Sequence, residues 1–364
     1  LSKNTLIYTP AIAMFLPSRR ASNLFRGLPS SATNSLGYKP QEVSEDYLPQ
    51  VGSSGFNTFF RSQEEKLRLL NPEVCPCVHT LTGNSQAVAF SPDSKTFASG
   101  STDVKLWNLE TGEIISTLKR NTGILKAIAF NPDGKTLVSS GLSQTIELWN
   151  VATGEEIRKF TPHAYAVNSL TFSPNGETFV SGDRGKTIQV WNANAQQAIA
   201  TFIQHQDWVN SVAISPDGQI LASGSHDKTI KLWHFDTKTE IATLDGHSSV
   251  VHSVVFSQDG TLLASASSDG TIKLWHPRTG ELLETLFGHS DEVYSAAISP
   301  DGTILASGST DATVKLWNLE TGEEIVTLTG HLSSVKSVTF SPDGKILASA
   351  SADGTIKIWQ CANF

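Results

Sequence analysis

Seven of the eight tryptophans lie on a single ruler. Trp107, Trp149, Trp191, Trp233, Trp275, Trp317 and Trp359 follow one another at intervals of 42 residues without a slip. A spacing kept over so many steps means one supersecondary unit repeated, and a unit of this size cannot bury its apolar face alone. Length alone would suggest two or three domains for 364 residues, but the repeat calls for a single body of stacked units.

The unit is clearest at residues 330–359. After Gly330-His331, the alternation Val335, Val338, Phe340 predicts a strand. Ser341-Pro342-Asp343-Gly344 is a turn, because Pro fixes φ, Asp bonds its own backbone and Gly accepts positive φ. Ile346 to Ser349 predicts a second, fully buried strand, Asp353-Gly354 a hairpin, and Thr355 to Trp359 a third strand. In inner units Leu319-Glu320-Thr321-Gly322 turns the chain into a fourth strand, Glu324 to Leu328. Four short antiparallel strands repeated radially make a propeller blade. The expected fold is therefore all-β: a seven-bladed β-propeller over residues 75–364, with an extended arm over residues 1–74.

The strings Gly-His, Ser-Pro-Asp-Gly, Asp-Gly-Thr and Ile-Lys-Leu-Trp resemble the WD-repeat family over residues 78–364, and the near-identity of the units is similar to bacterial, notably cyanobacterial, WD-repeat proteins. The Asp that usually follows the Trp is missing: Asn108, Asn150, Asn192, His234, His276, Asn318 and Gln360 stand there.

After Trp359 too little chain remains for a fourth strand, yet Val78–Gly83 matches Ile325–Gly330. The N-terminal side should therefore supply the missing strand and close the ring, which removes exposed sheet edges. Moved to this last blade, the inner register sets Trp359 opposite Cys77 and Cys361 opposite Cys75; allowing a slip of two, Cys361 is expected across the closing strands from Cys75 or Cys77. Three cysteines are too few for a disulfide scaffold or a zinc site, so the thiols are expected to be reduced.

Four units carry one polar quartet: His205, Ser223, Asp227, Trp233; His247, Ser265, Asp269, Trp275; His289, Ser307, Asp311, Trp317; and His331, Ser349, Asp353, Trp359. Ser, His and Asp suggest a catalytic triad. A catalytic site occurs once, however, and this set recurs at a structural period. In each unit Asp can orient His, His can bond Ser, and Ser can accept from the indole N–H, so every buried polar group has a partner. The quartet resembles the structural tetrad of WD repeats. Units one to three depart from it, with Asn84 or Asn121 for His, and Ser143 or Gly185 for Asp; these blades are expected to be less rigid. Gly185-Lys186-Thr187 lacks the leading Gly of a phosphate loop and reads as a hairpin. No His/Cys cluster has metal spacing, and no cofactor is expected.

Residues 1–74 hold eight Lys/Arg and six Asp/Glu, net +2, so the remainder carries −10 of the total −8. Residues 1–40 contain no acid and are rich in Ser and Arg, which suits an arm without a core, with a targeting segment as the alternative. Ser62-x-x-Glu65 is a capping box for a short helix near 63–70. Phe56, Phe59 and Phe60 are costly to leave wet and are expected to dock. No apolar run is long enough for a membrane span, and the acidic propeller argues against nucleic acid.

The resemblance implies a partner face made of the residues three and five after each Gly-His histidine and the residue before the hairpin Asp. These are Trp208, Asn210 and His226; Val250, His252 and Ser268; and Glu292, Tyr294 and Thr310. Trp208 is the tryptophan off the ruler, so the blade does not require it. Trp208, Val250 and Tyr294 have the makeup of a hot spot, with Ile124 and Leu142 a smaller apolar spot opposite. The expected function is a non-catalytic, cytoplasmic scaffold for protein–protein interaction. It would be a monomeric propeller binding a protein or peptide partner within a complex, with the arm as tether or as a route to a membrane or organelle. Two alternatives stay open: a sensor module of a larger signalling protein, and a small-ligand or enzymatic propeller using its channel.

Overall fold

The computed structural model describes residues 75–361 apart from 84, 120–122, 162 and 196. The arm, the helix expected near 63–70 and Phe56, Phe59 and Phe60 lie outside the described residues.

Seven four-stranded antiparallel sheets follow one another along the chain. Blade 1 is built from Ala87–Phe90, Thr96–Gly100, Val104–Asn108 and Ile114–Leu118, and blade 4 from Val209–Ile214, Ile220–Ser225, Ile230–His234 and Glu240–Leu244. The first strand of each blade packs against the first strand of the next, and the first strand of blade 7, Val335–Phe340, returns to that of blade 1. The ring is thus continuous around a central axis. Serines on the inner strands tie neighbouring blades: Ser169 Oγ accepts from the Val212 amide at 3.0 Å, Ser211 Oγ from Val254 at 3.1 Å, and Ser295 Oγ from Val338 at 3.0 Å.

The second strand of each blade is buried almost throughout, as the Ile-Leu-Ala-Ser runs predict. Its face meets the next blade so closely that a Cβ on Gly308 would lie 2.6 Å from Val335 Cγ1. Only a small residue fits at this position: Gly308 here, Ala266 and Ala350 in blades 5 and 7, and Ser140 in blade 2. The Ser-Pro-Asp-Gly turns form as read: in blade 7 the Gly344 amide donates to the Ser341 carbonyl at 2.8 Å, with Gly344 at φ +73°. Burying the apolar sides of every blade against its neighbours is the main source of stability.

Blade 7 is completed from the other end of the chain. Cys77–Thr82 pairs antiparallel with Thr355–Gln360, Cys77 opposite Trp359 and Leu81 opposite Ile356. This is the register carried over from the inner blades. The reduced state expected for the thiols is corrected: Cys75 and Cys361 form a disulfide, their Cα atoms 4.2 Å apart. Both sulfurs lie in the apolar cluster between blades 6 and 7, with Val335, Leu347 and Trp359. Once the register sets two thiols face to face in a site closed to water, they can bridge. Cys77 remains free and exposed.

Candidate interaction face at the channel mouth

The four repeated quartets are hydrogen-bonded networks. In blade 4, His205 Nδ1 donates to Asp227 Oδ2 at 2.8 Å, His205 Nε2 accepts from Ser223 Oγ at 2.7 Å, and the Trp233 indole donates to Ser223 Oγ at 3.2 Å. Blades 5, 6 and 7 repeat this arrangement through Asp269, Asp311 and Asp353. Burial works against the Asp227 carboxylate, but bonds from His205, Thr229 and the Gln206 amide outweigh it and hold its pKa well below the usual range. Burial also depresses His289 and His331, against the pull of Asp311 and Asp353. Ser223, Ser265, Ser307 and Ser349 are wholly buried, so none is open to a substrate.

Blade 3 corrects the expectation drawn from Gly185. Asp183, two residues earlier, bonds His163 Nδ1 at 2.8 Å, and Ser181 bonds both His163 Nε2 at 2.7 Å and the Trp191 indole at 2.8 Å. Gly185 is what makes room, since a Cβ there would lie 2.6 Å from Tyr165 and 2.9 Å from the Asp183 carboxylate. In blade 2 the buried Glu147 takes over. Ser139, which accepts from the Trp149 indole at 2.9 Å, donates to Glu147 Oε2 at 3.4 Å, and Thr145 donates to Oε1 at 2.9 Å. In blade 1 the Trp107 indole donates to Ser99 at 2.8 Å.

The networks also position the loops above them. Asp227 Oδ2 accepts from the Gln206 amide as well as from His205, which anchors the loop that carries Trp208. The Ser248, Ser290 and Leu332 amides are held in the same way by Asp269, Asp311 and Asp353. At the rim, the residue before each hairpin donates its amide to the residue three after the histidine position: His226 to Trp208, Ser268 to Val250, Thr310 to Glu292, and in blades 2 and 3 Leu142 to Ile124 and Arg184 to Ala166.

The aromatic face residues read from the sequence meet as a continuous ladder; Val250, half-buried like His226, His252 and Tyr294, has no ring to join it. Trp208 lies 4.7 Å from His226, His226 lies 6.3 Å from His252, and His252 lies 4.5 Å from Tyr294, ring centre to ring centre. The Trp208 side chain is 37% exposed. Asn210 uses its amide within the protein, on the Val251 carbonyl at 3.0 Å and on His226 at 2.9 Å, and so positions the ladder rather than extending from it. His252 Nε2 meets Ser268 Oγ at 2.7 Å, and burial lowers its pKa to about 4. Burial and then Glu292 raise the Tyr294 phenol. Ile124 and Leu142 are exposed, as the smaller apolar spot requires.

Both ends of the ladder are cationic, which the sequence reading missed. The Arg184 guanidinium lies over Trp208 at 4.6 Å, and Lys336 Nζ over Tyr294 at 3.3 Å. The positional rule, extended to blades 2, 3 and 7, would have found them: Lys126 and Lys336 are the residues five after the histidine positions, and Arg184 stands before the hairpin. Among the described residues no group of three His, Cys, Asp or Glu could hold a metal ion, and no helix is long and apolar enough to cross a membrane.

A closed ring of seven four-stranded blades, each pinned by a tryptophan–serine bond, defines a WD-repeat β-propeller. The chain belongs to the family described as the WDR3 second beta-propeller domain, whose model matches residues 84–364. No significant match to a curated protein was found.

Proposed function

We propose that this protein is a non-catalytic scaffold and that the loop face around Trp208, His226, His252 and Tyr294 binds a protein or peptide partner. The observation that carries the reading is the aromatic ladder itself. Trp208 makes no part of any blade network, yet the fold orders it in an open position, flanked by Arg184 and His226. Large aromatics beside an arginine are the makeup of an interface hot spot. The complete burial of the repeated serines supports a structural rather than catalytic use of Ser, His and Asp. The basic arm, residues 1–40, serves in this proposal as a tether. Compartment enters through the cross-link: a disulfide persists more readily in oxidising surroundings than in the cytosol, so Cys75–Cys361 favours delivery by the arm over a cytoplasmic home.

The test is affinity purification of the full chain with mass spectrometry, beside Trp208→Ala. The variant is expected to lose its partner, with a weakening of about 2 kcal/mol or more, at unchanged thermal stability. A large loss of stability with the partner retained would make Trp208 a packing residue and move the functional face elsewhere.

A further inference from the structure

We propose that the segment docked on this face is an acidic peptide, its carboxylates set among Lys126, Arg184 and Lys336 and an apolar or aromatic side chain laid on Trp208 and Tyr294. This rests on the reading of the face as a partner site and adds the chemistry of the partner.

The three cations come from blades 2, 3 and 7, far apart in sequence, because equivalent positions of different blades converge on one ring. All three are half-buried. Among the described residues none of them forms an ion pair, whereas Lys231, Lys315 and Arg278 on other parts of the surface are paired with Glu240, Glu324 and Asp217. Their charges are felt by one another: burial and then Arg184 weaken the hold of Lys126 on its proton, and burial does the same to Lys336, with Lys126 adding a smaller push against the pull of Glu292. Like charges held partly out of water repel, and an incoming anion relieves that repulsion.

The acids nearby do not fill this role. Asp207 Oδ1 accepts from the Trp208 amide at 2.8 Å and Asp291 Oδ1 from the Glu292 amide at 2.8 Å, so both cap their own loops. Glu292 favours the Lys336 charge but also bonds the Tyr294 hydroxyl. Cations beside partly exposed aromatics also suit single-stranded nucleic acid. The chain beyond residue 74 carries −10, however, and a phosphate backbone would have to run across that acidic surface. A short acidic segment need only reach the three cations at the mouth.

The experiment is selection from a random peptide library displayed on phage, with the immobilised full chain as target, followed by fluorescence titration of the enriched peptides. Acidic peptides bearing an aromatic residue are expected. Their affinity should fall at least tenfold in the double variant K126Q/K336Q, at least thirtyfold in Trp208→Ala, and steeply with added salt. The charge-reversed K126E/K336E, folded as judged by its melting curve, should select basic peptides instead. Neutral or basic peptides on the unaltered chain that are lost in Trp208→Ala would overturn the acidic partner and keep the face. Enriched peptides indifferent to both Trp208→Ala and Tyr294→Ala, or no enrichment at all, would overturn both. A ten-nucleotide oligouridylate bound more tightly than any selected peptide at the same salt would replace the acidic peptide by nucleic acid.

Discussion

In blades 4 to 7 each tryptophan on the ruler donates to a serine, the serine to a histidine, and the histidine to an aspartate that also holds the loop above. In blade 3 the aspartate comes from two residues earlier, in blade 2 a buried glutamate replaces the histidine, and in blade 1 the described network is Trp107 and Ser99. The bond common to all seven blades is indole to serine hydroxyl. That bond fixes the second strand to the third. What varies is how the serine's own hydrogen is satisfied, and the fold tolerates any buried acceptor that reaches it. The blades at the end of the chain are thus copies of one solution, and those at the beginning are separate solutions to the same requirement.

The comparison can be broken by deletion. His247→Ala in blade 5 leaves the Asp269 carboxylate and Ser265 short of a partner, and is expected to cost about 3 to 5 kcal/mol. Ser99→Ala in blade 1 strands one indole N–H and should cost about 1 to 3 kcal/mol. Denaturant midpoints measure both, and equal losses would show that the first blade depends on its network as much as the fifth. Between these two in size is the ring closure. Cys75→Ser should destabilise by about 2 to 4 kcal/mol, with amide exchange rising first in Cys77–Thr82 and Thr355–Gln360. Faster exchange in blade 1 ahead of those strands would place the weak point elsewhere.

Acid sharpens the contrast. His289 and His331 are held below the ordinary histidine value, so under about pH 6.5 the unfolded chain takes up protons that the folded blades resist. Stability from these blades is full above that pH and falls as pH drops, with the depressed Asp227, Asp269 and Asp353 adding a further loss at lower pH. Amide protection, taken relative to the intrinsic exchange rate at each pH, should therefore fall in blades 6 and 7 between pH 7 and pH 5 and hold steady in blades 1 and 2; a uniform response would count against this linkage. The smallest effect concerns the hairpins. Gly270 and Gly354 sit at positive φ in blades 5 and 7, whereas Ala312 holds φ +67° in blade 6. Ala312→Gly should stabilise by about 0.5 to 1 kcal/mol in a melting experiment.

Much of the architecture was legible. The tryptophan ruler gave the blade number, and the likeness of Val78–Gly83 to Ile325–Gly330 gave both the closing strand and its register. The misreadings share a physical cause. Gly185 looked like a lost aspartate because positions were compared one for one, while a side chain reaches space from more than one backbone position; Asp183 and Glu147 fill their roles from neighbouring sites. The cations of the face were missed because the positional rule was carried out in full only for blades 4 to 6, while Lys126, Arg184 and Lys336 stand in blades 2, 3 and 7. The disulfide was misjudged by counting cysteines across the chain instead of asking what surrounds Cys75 and Cys361 once the register brings them together.

The closing cross-link also decides where force would travel. Cys75 and Cys361 stand 286 residues apart in sequence and bound the whole ring. A pull between the arm and the far end of the chain passes from one sulfur to the other, and the seven blades hang as a slack loop outside the load path. With the bond opened, the load falls on the closing strand. Because Cys77 lies opposite Trp359, the two chain ends leave that strand pair on the same side. Tension would then part its hydrogen bonds one after another, like a zipper, instead of shearing them together. The sulfur bridge thus stands between a ring that ignores tension and one that opens at its seam.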